Sequence, residues 1–198
     1  MAAARMGRLR ANGCALFVCD VQEKFRGLIH HMPAVIETTS RMVRAANVLD
    51  LPVFVTEQYP KALGHTVPEI AKDLGQAEVF SKTMFSMCTP ELETAFAAKG
   101  GIGQVLLCGI ETHVCVYQTC LDLVEKHNVE VHLCVDGVSS QREVDRSTAL
   151  RRLSQLPGVF FCTSEMATFE LVGDAKHPKF KQISSLAKET RPEQLSAL

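Results

Sequence analysis

A chain of 198 residues, of which 46% are hydrophobic and 22% charged, is long enough for one domain with a complete apolar core. The 21 basic and 22 acidic residues nearly cancel, and no basic run exceeds two residues, so the charge pattern gives no support to a nucleic-acid partner. No apolar run approaches the roughly 18 residues that a membrane-spanning helix needs, so we expect no membrane partner.

The N-terminal segment and the cysteines favour a cytoplasmic location. Residues 1–13 carry arginines but no apolar stretch typical of a secretory signal, although their lack of acidic residues leaves a mitochondrial location as a weaker alternative. The eight cysteines include no C-x-x-C pair, and we expect them to stay reduced. Five cysteines in or beside apolar runs are expected to act as small core residues: Cys14, Cys19, Cys108, Cys134 and Cys162.

Strand-like apolar runs alternate with helical patterns along the chain. In chain order, the predicted strands are 14–20, 52–57, 78–82, 103–109, 129–137 and 158–163. The predicted helices are 34–50, 67–74, 90–99, 112–127, 142–155, 164–172 and 178–188. This alternation predicts a three-layer α/β/α, Rossmann-like fold with helices on both faces of a six-stranded parallel sheet in the order 3-2-1-4-5-6. We expect a short flexible N-terminus (1–11), a single domain (12–188) and a C-terminal tail (189–198).

In such a sheet the binding site lies beyond the carboxyl ends of the strands. The turn after the first strand reads CDVQEKFRG (19–27) and lacks the G-x-G-x-x-G fingerprint of dinucleotide sites. No P-loop is present either. We therefore expect no nucleotide and no other cofactor.

Three reactive side chains stand at predicted strand ends, namely Asp20, Lys82 and Cys115. Taken singly, each has an ordinary interpretation, as a helix cap, a solvated lysine and a buried thiol. Together they form a site for acyl transfer. A helix N-terminus and a nearby ammonium would favour the thiolate of Cys115, and Asp20 could take and return its proton. Backbone N–H groups in the 110–115 turn could stabilise an oxyanion.

Three motifs in the same order resemble those of the isochorismatase-like cysteine hydrolases. The segment DVQEKF (20–25) resembles their D-x-Q-x-x-F opening, and GIETHVCV (109–116) resembles their G-[VI]-x-T-x-x-C-V motif. The lysine of SK (81–82) stands where that family places its lysine. The resemblance extends over about 12–175, and VTEQYPKALG (55–64) is particularly similar to the eukaryotic isochorismatase domain-containing proteins.

The resemblance implies a single hydrolase domain with a catalytic triad of Asp20, Lys82 and Cys115. It also implies a cis peptide bond between Ile110 and Glu111. The backbone N–H groups of Glu111 and Cys115 would then form the oxyanion hole.

Departures from the family's pattern bear on the metal and the substrate. Nicotinamidases carry an Asp-x-His pair after the second strand, whereas residues 57–60 read EQYP here, and His65 lacks partners at metal spacing. We therefore expect no metal. True isochorismatases, which cleave a vinyl ether, lack a cysteine at the position of Cys115. Its presence favours hydrolysis of a C–N or acyl bond.

Other residues near the strand ends have less specific interpretations. Gln22 and Phe25 follow Asp20 and could line a substrate pocket, although Phe25 suits the core equally well. Tyr59 could close the site from the long loop after the second strand.

Three polar groups around the motif have local structural interpretations. His113 would face away from Cys115 on an ideal helix. Thr112 is expected to cap that helix, and the serines of DGVSS (136–140) either contact substrate or, as we favour, cap the helix near 142.

The sequence therefore favours a metal-independent cysteine hydrolase that acts on a small amide, or a related C–N or acyl substrate, through a thioester on Cys115. The alternative is a weakly active or inactive family member that works as an oligomeric binding protein. The resemblance implies a small-molecule substrate and a homodimer or homotetramer, and a nuclease is disfavoured by the charge pattern.

Overall fold

The computed structural model describes residues 6–192 of the chain, so the predictions for residues 1–5 and 193–198 lie outside the described part. Strands and helices alternate through most of it. The strands are β1 (Cys14–Cys19), β2 (Val53–Gln58), β3 (Glu78–Lys82), β4 (Gln104–Ile110), β5 (Glu130–Ser139) and β6 (Val159–Cys162). The α-helices are α1 (Met32–Val48), α2 (Pro60–Leu63), α3 (Pro68–Ala71), α4 (Pro90–Lys99), α5 (Tyr117–Glu125), α6 (Glu143–Leu153), α7 (Ser164–Val172) and α8 (Phe180–Ala187). A 3₁₀ turn (Glu23–Phe25) follows β1, and a π-helical turn (Thr112–Val116) leads into α5.

The six strands form one parallel sheet in the order β3-β2-β1-β4-β5-β6. This confirms the predicted fold class and strand order. Because the connection from β3 returns the chain to the other side of β1, the carboxyl ends of β1 and β4 flank the point where the strand order reverses. No helix among residues 6–192 combines the length and the apolar character needed to cross a membrane.

Two apolar cores cover the two faces of the sheet, and β1 contributes to both. Leu16 and Val18 pack in the core shared with α1 and α7, whereas Phe17 and Cys19 pack in the core shared with α4, α5 and α6. This division follows from the two-residue side-chain period of a strand. Each fully buried aliphatic or aromatic side chain contributes about 1.5–3 kcal/mol, so both layers hold the sheet.

Residues near both ends of the described part make long-range contacts. Leu9 is buried, and its backbone N–H donates to Glu170 Oε1 at 3.1 Å. At the other end, Arg44 donates two hydrogen bonds of 2.7 Å to the Glu189 carboxylate. The division into a short flexible N-terminus, a single domain over 12–188 and a C-terminal tail stays a prediction.

Gly109 lies where β4 approaches the end of β1 most closely. Its φ is +124°, and a Cβ built at this position would lie 2.1 Å from the carbonyl oxygen of Cys19. The register of β4 against β5 also shifts between Leu107 and Gly109. Only glycine permits this backbone conformation and this approach, which together direct the chain from β4 into the turn that carries Cys115.

We predict that Gly109→Ala lowers the free energy of unfolding by about 3 kcal/mol, because the new methyl group meets backbone that cannot move aside. Gly103→Ala is the matched control, since a Cβ there meets no atom within 4 Å. Urea denaturation of both variants measures the difference. Equal urea midpoints for the two variants would show that β4 can move away from β1 without a loss of stability.

Candidate active site

A buried ion pair joins the end of β1 to the end of β3. The Lys82 ammonium donates to Asp20 Oδ2 at 2.6 Å, and the exposed fractions of the two side chains are 0% and 1%. Asp20 follows β1 and Lys82 ends β3, so the pair spans the intervening strand β2. Removal of two charges from water is costly, and such a pair persists only where the geometry is good and further hydrogen bonds complete it.

Further acceptors surround the Lys82 ammonium. It donates to Gln58 Oε1 at 2.7 Å and to the carbonyl oxygens of Met84 and Phe85 at 3.1 and 2.9 Å. Burial by itself would lower the pKa of Lys82. The surrounding acidic groups, namely the thiols of Cys19 and Cys115 and the Asp20 carboxylate, outweigh that effect and raise the pKa above its ordinary value, so the side chain stays an ammonium.

The second oxygen of Asp20 is held by the neighbouring strand. Thr56 Oγ1, on β2, donates to Asp20 Oδ1 at 2.7 Å. The backbone of Asp20 has a φ of +53°, and its N–H donates to the Thr56 carbonyl at 3.1 Å. Both carboxylate oxygens are thus fixed by protein donors, so the group has a defined direction. Thr56 escaped the sequence analysis because nothing in the sequence shows which β2 side chain faces the end of β1.

Cys115 lies in the first turns of the helical segment that follows β4. The peptide bond between Ile110 and Glu111 is cis, and the π-helical turn begins immediately afterwards. The Cys115 side chain is in the core on the α5 face, and the residue is 7% exposed. Its carbonyl oxygen accepts from Thr119 Oγ1 at 2.6 Å.

The same threonine connects this turn to the loop after β3. The Met87 N–H donates to Thr119 Oγ1 at 2.9 Å, in the segment whose carbonyls hold Lys82. The structure therefore brings all three residues of the predicted triad to one edge of the sheet and links them through their supporting loops.

A second thiol lies beside the first. The sulfur atoms of Cys19 and Cys115 and a carboxylate oxygen of Asp20 all lie within 4.8 Å of one another. Burial, a hydrogen bond with Cys115 and the charge of Asp20 raise the pKa of Cys19 well above its ordinary value. The sequence analysis assigned Cys19 to the core alone. The sequence feature that could have indicated this role is that Cys19 directly precedes Asp20, on the same face of β1 as Phe17.

Two groups of side chains among residues 6–192 have a geometry that could hold a metal ion. One is the group of Cys19, Asp20 and Cys115, where the adjacent Lys82 ammonium opposes a cation. The other consists of Cys88, Glu93 and His127 and includes no residue of the triad. His65, considered in the sequence analysis, instead contacts Glu57 Oε2 through Nδ1 at 2.9 Å.

The structure places the three predicted pocket residues in different surroundings. Gln22 is buried and braces the loop after β2: its amide donates to the carbonyls of Gln58 and Gly64, and its oxygen accepts from the Gln58 N–H. Phe25 is partly buried against the α1-side core. Tyr59 is 53% exposed, and its N–H donates to the Lys82 carbonyl at 2.8 Å.

Tyr59 borders a surface cavity of about 420 Å³ beside β3. Lys82 also contributes to its wall. The other lining residues include Pro60, Lys61, Met84 and Pro90.

The expected caps are corrected by the structure. Thr112 Oγ1 is buried and has no hydrogen-bond partner in the described part of the chain, and the cap position of its turn is Glu111. The cap position of α6 is Arg142, and the two serines bond elsewhere. Ser139 Oγ donates to the His30 carbonyl at 2.6 Å, and Ser140 Oγ lies 3.0 Å from His113 Nδ1.

Comparisons with known proteins agree with this arrangement of elements. The family model for the Isochorismatase domain matches residues 14–165. Isochorismatase domain-containing protein 2 of Homo sapiens is 44% identical over 195 residues, which cover 98% of this chain and 93% of that protein. Secreted isochorismatase effector Isc1 of Phytophthora sojae is 50% identical over 189 residues, with coverages of 93% and 89%. The structure of MAR1 ribonuclease from Caenorhabditis elegans has a TM-score of 0.87 at 43% identity and covers 96% of this chain and 100% of its own.

We predict that Lys82→Met lowers the free energy of unfolding by about 3–5 kcal/mol, because it leaves the Asp20 carboxylate buried without its cation. The double variant Asp20→Asn/Lys82→Met should recover a large part of the loss. Lys126→Met is the control, since Lys126 pairs with Asp122 at the surface and should change little. Denaturation at neutral pH measures all three. An additive loss in the double variant would contradict the coupling.

Proposed function

Since this chain belongs to the isochorismatase family, we propose that it is a metal-independent cysteine hydrolase of a small amide, or of a related C–N or acyl substrate. The observation that carries the proposal is the convergence of a thiol, a carboxylate and a buried ammonium at one edge of the sheet. The sulfur atom of Cys115 and a carboxylate oxygen of Asp20 lie within 4.8 Å of each other. The same carboxylate accepts a hydrogen bond from the Lys82 ammonium.

The proposed reaction begins with transfer of the Cys115 thiol proton to Asp20. The thiolate then attacks the substrate carbonyl, and the backbone N–H groups of Glu111 and Cys115 stabilise the resulting oxyanion. Asp20 returns the proton to the leaving nitrogen, which departs and leaves a thioester on Cys115. A water molecule, deprotonated by Asp20, hydrolyses the thioester and restores the thiol.

Lys82 balances the negative charge that Asp20 and Cys115 carry during the proposed reaction. Transfer of the proton from Cys115 to Asp20 moves one negative charge from the carboxylate to the thiolate, and the ammonium offsets that charge in both states. Because its raised pKa keeps Lys82 protonated at neutral and mildly alkaline pH, this compensation is present in the ordinary working range. The four acceptors around Nζ fix it in place and leave it no freedom to act as a nucleophile.

A cytoplasmic location is part of the proposal. All eight cysteines are free and buried, which is typical of a reducing compartment. One relative is named a secreted effector, and that name describes the Phytophthora sojae protein alone.

A ribonuclease is the second candidate function, favoured by the 43% identity to the C. elegans protein named MAR1 ribonuclease. The near-neutral net charge of −1 argues against it, because RNA binding normally requires a basic surface. RNA cleavage by the purified chain that is salt-sensitive and lost in Cys115→Ala would favour this candidate over the amide hydrolase.

A homodimer or homotetramer is the proposed assembly. Strand β3 is an edge strand, and four large apolar side chains on or beside it are exposed by 45–53%. They are Tyr59, Val79, Met84 and Phe85. An uncovered sheet edge with apolar residues is a favourable surface for a second copy.

We predict that Cys115→Ala lowers turnover on a panel of small amides and esters by at least about 1,000-fold, because the nucleophile is lost. Cys120→Ala is the matched control: this thiol is fully buried on the same helical segment but lies outside the triad. Activity that survives Cys115→Ala would contradict the mechanism. An alkylatable Cys115 without turnover on any substrate would favour the alternative of an inactive binding protein.

We predict that Val79→Lys shifts the assembly toward the monomer, because it places a charge on the exposed edge strand. Multi-angle light scattering of the purified chain measures the mass. Val144→Lys is the control, since Val144 is 64% exposed on α6 and away from β3. A mass that is the same for both variants and the wild type would contradict assembly through β3.

A further inference from the structure

Cys19 is a buried thiol that the proposed hydrolysis does not use. It ends β1, directly before Asp20, and it is 0% exposed. Its sulfur lies within 4.8 Å of the sulfur of Cys115, which is 7% exposed and is the more accessible of the two. A second thiol in contact with a nucleophilic one is the arrangement that a resolving cysteine requires.

We propose that Cys19 and Cys115 form an oxidative modification site, at which hydrogen peroxide converts Cys115 to a sulfenic acid and Cys19 then closes a disulfide with it. The inference rests on the proposed function only in taking Cys115 as the reactive thiol. Its outcome is a reversible block of the nucleophile.

The two steps balance without any other reagent. In the first, the Cys115 thiolate attacks one oxygen of hydrogen peroxide, the O–O bond breaks, and hydroxide leaves. In the second, the Cys19 sulfur attacks the sulfenic sulfur, the S–O bond breaks, and the sulfenic oxygen leaves as water. Overall, two thiols and one hydrogen peroxide give one disulfide and two water molecules, with the sulfurs oxidised and the peroxide reduced.

The neighbouring charges set the order of these steps. Burial raises the pKa of Cys19 well above its ordinary value, and the neighbouring Cys115 and Asp20 raise it further, so Cys19 stays protonated while Cys115 reacts with peroxide. The sulfenic acid on Cys115 is neutral, so the negative charge of the Cys115 thiolate is gone when Cys19 reacts. Asp20, with a carboxylate oxygen within 4.8 Å of both sulfurs, can then accept the Cys19 proton as the disulfide forms.

Other thiols in the core provide an internal comparison. Cys134 makes hydrogen bonds with Cys108 and Cys162, so these three sulfurs are also in contact. A hydrogen bond with Cys108 and burial raise the pKa of Cys134, and a hydrogen bond with Cys134 and burial raise that of Cys162; none of the three belongs to the group of Asp20, Lys82 and Cys115. We therefore expect peroxide to leave this cluster reduced.

The test is disulfide mapping of the full chain after treatment with a small molar excess of hydrogen peroxide. Remaining thiols are blocked with N-ethylmaleimide, and fragment-ion sequencing distinguishes Cys19 from Cys14 and Cys115 from Cys108 and Cys120. We expect a Cys19–Cys115 disulfide that dithiothreitol reverses, with recovery of iodoacetamide labelling at Cys115.

A resolving role for Cys19 also predicts the behaviour of variants. In Cys19→Ser, dimedone should trap the sulfenic acid on Cys115, and without dimedone the residue should proceed to a sulfinic acid that dithiothreitol does not reverse. In the matched control Cys134→Ala, the Cys19–Cys115 disulfide should still form.

Three results would overturn the inference, and none requires a substrate. The first is a sulfinic acid on Cys115 in the wild type with Cys19 still a free thiol. The second is a disulfide that forms only within the cluster of Cys108, Cys134 and Cys162. The third is a set of oxidation products that is the same in the wild type and in Cys19→Ser. Because the readout is the mass of the peptides, a disulfide without turnover on any substrate would refute the hydrolase alone. Turnover that depends on Cys115 without any such disulfide would refute only this inference.

Discussion

The buried ion pair between Asp20 and Lys82 is the interaction on which the site depends. It joins strands that are separated by β2, and each partner is stable in the interior only because the other is present. The supporting contacts extend outward from it: Thr56 holds Asp20, and Gln58 and two carbonyls of the following loop hold Lys82. A single electrostatic requirement therefore aligns β1, β2 and β3 and the loop after β3.

The position of the thiol depends on a steric constraint. β4 can approach β1 as closely as it does only because Gly109 has no side chain, and the chain then turns at once into the segment that carries Cys115. The thiol is thereby set against Cys19 and Asp20. The electrostatic pair and the glycine contact act on the same edge of the sheet, where a parallel α/β fold places its binding sites.

The sequence was sufficient to predict the alternation of strands and helices, the strand order and the family. Asp20, Lys82 and Cys115 could be selected because each stands at or just after the end of a predicted strand, and parallel strands bring their carboxyl ends to one edge. The contacts between them required the structure. The proximity of Cys19 and Cys115 depends on the turn after β4. The spacing of the residues suggested an ideal helix there, whereas the structure has a π-helical turn.

Polar side chains near the site were predicted less well for a related reason. Ser139, Ser140 and Thr112 suited helix caps by sequence, but the hydroxyls of the two serines find partners on distant loops or on His113. Gln22 suited a pocket wall, yet its amide is engaged by the loop after β2. Long-range hydrogen bonds of this kind leave no periodic signal in the sequence.

The most direct test of the account is intact-mass spectrometry of the purified chain after brief exposure to a library of small amides and esters. The account predicts an acyl adduct on Cys115 that is absent in Cys115→Ala and strongly reduced in Asp20→Asn, because Asp20 takes the thiol proton in the first step. An adduct that forms on another cysteine, or one that forms on Cys115 as readily in Asp20→Asn as in the wild type, would contradict it.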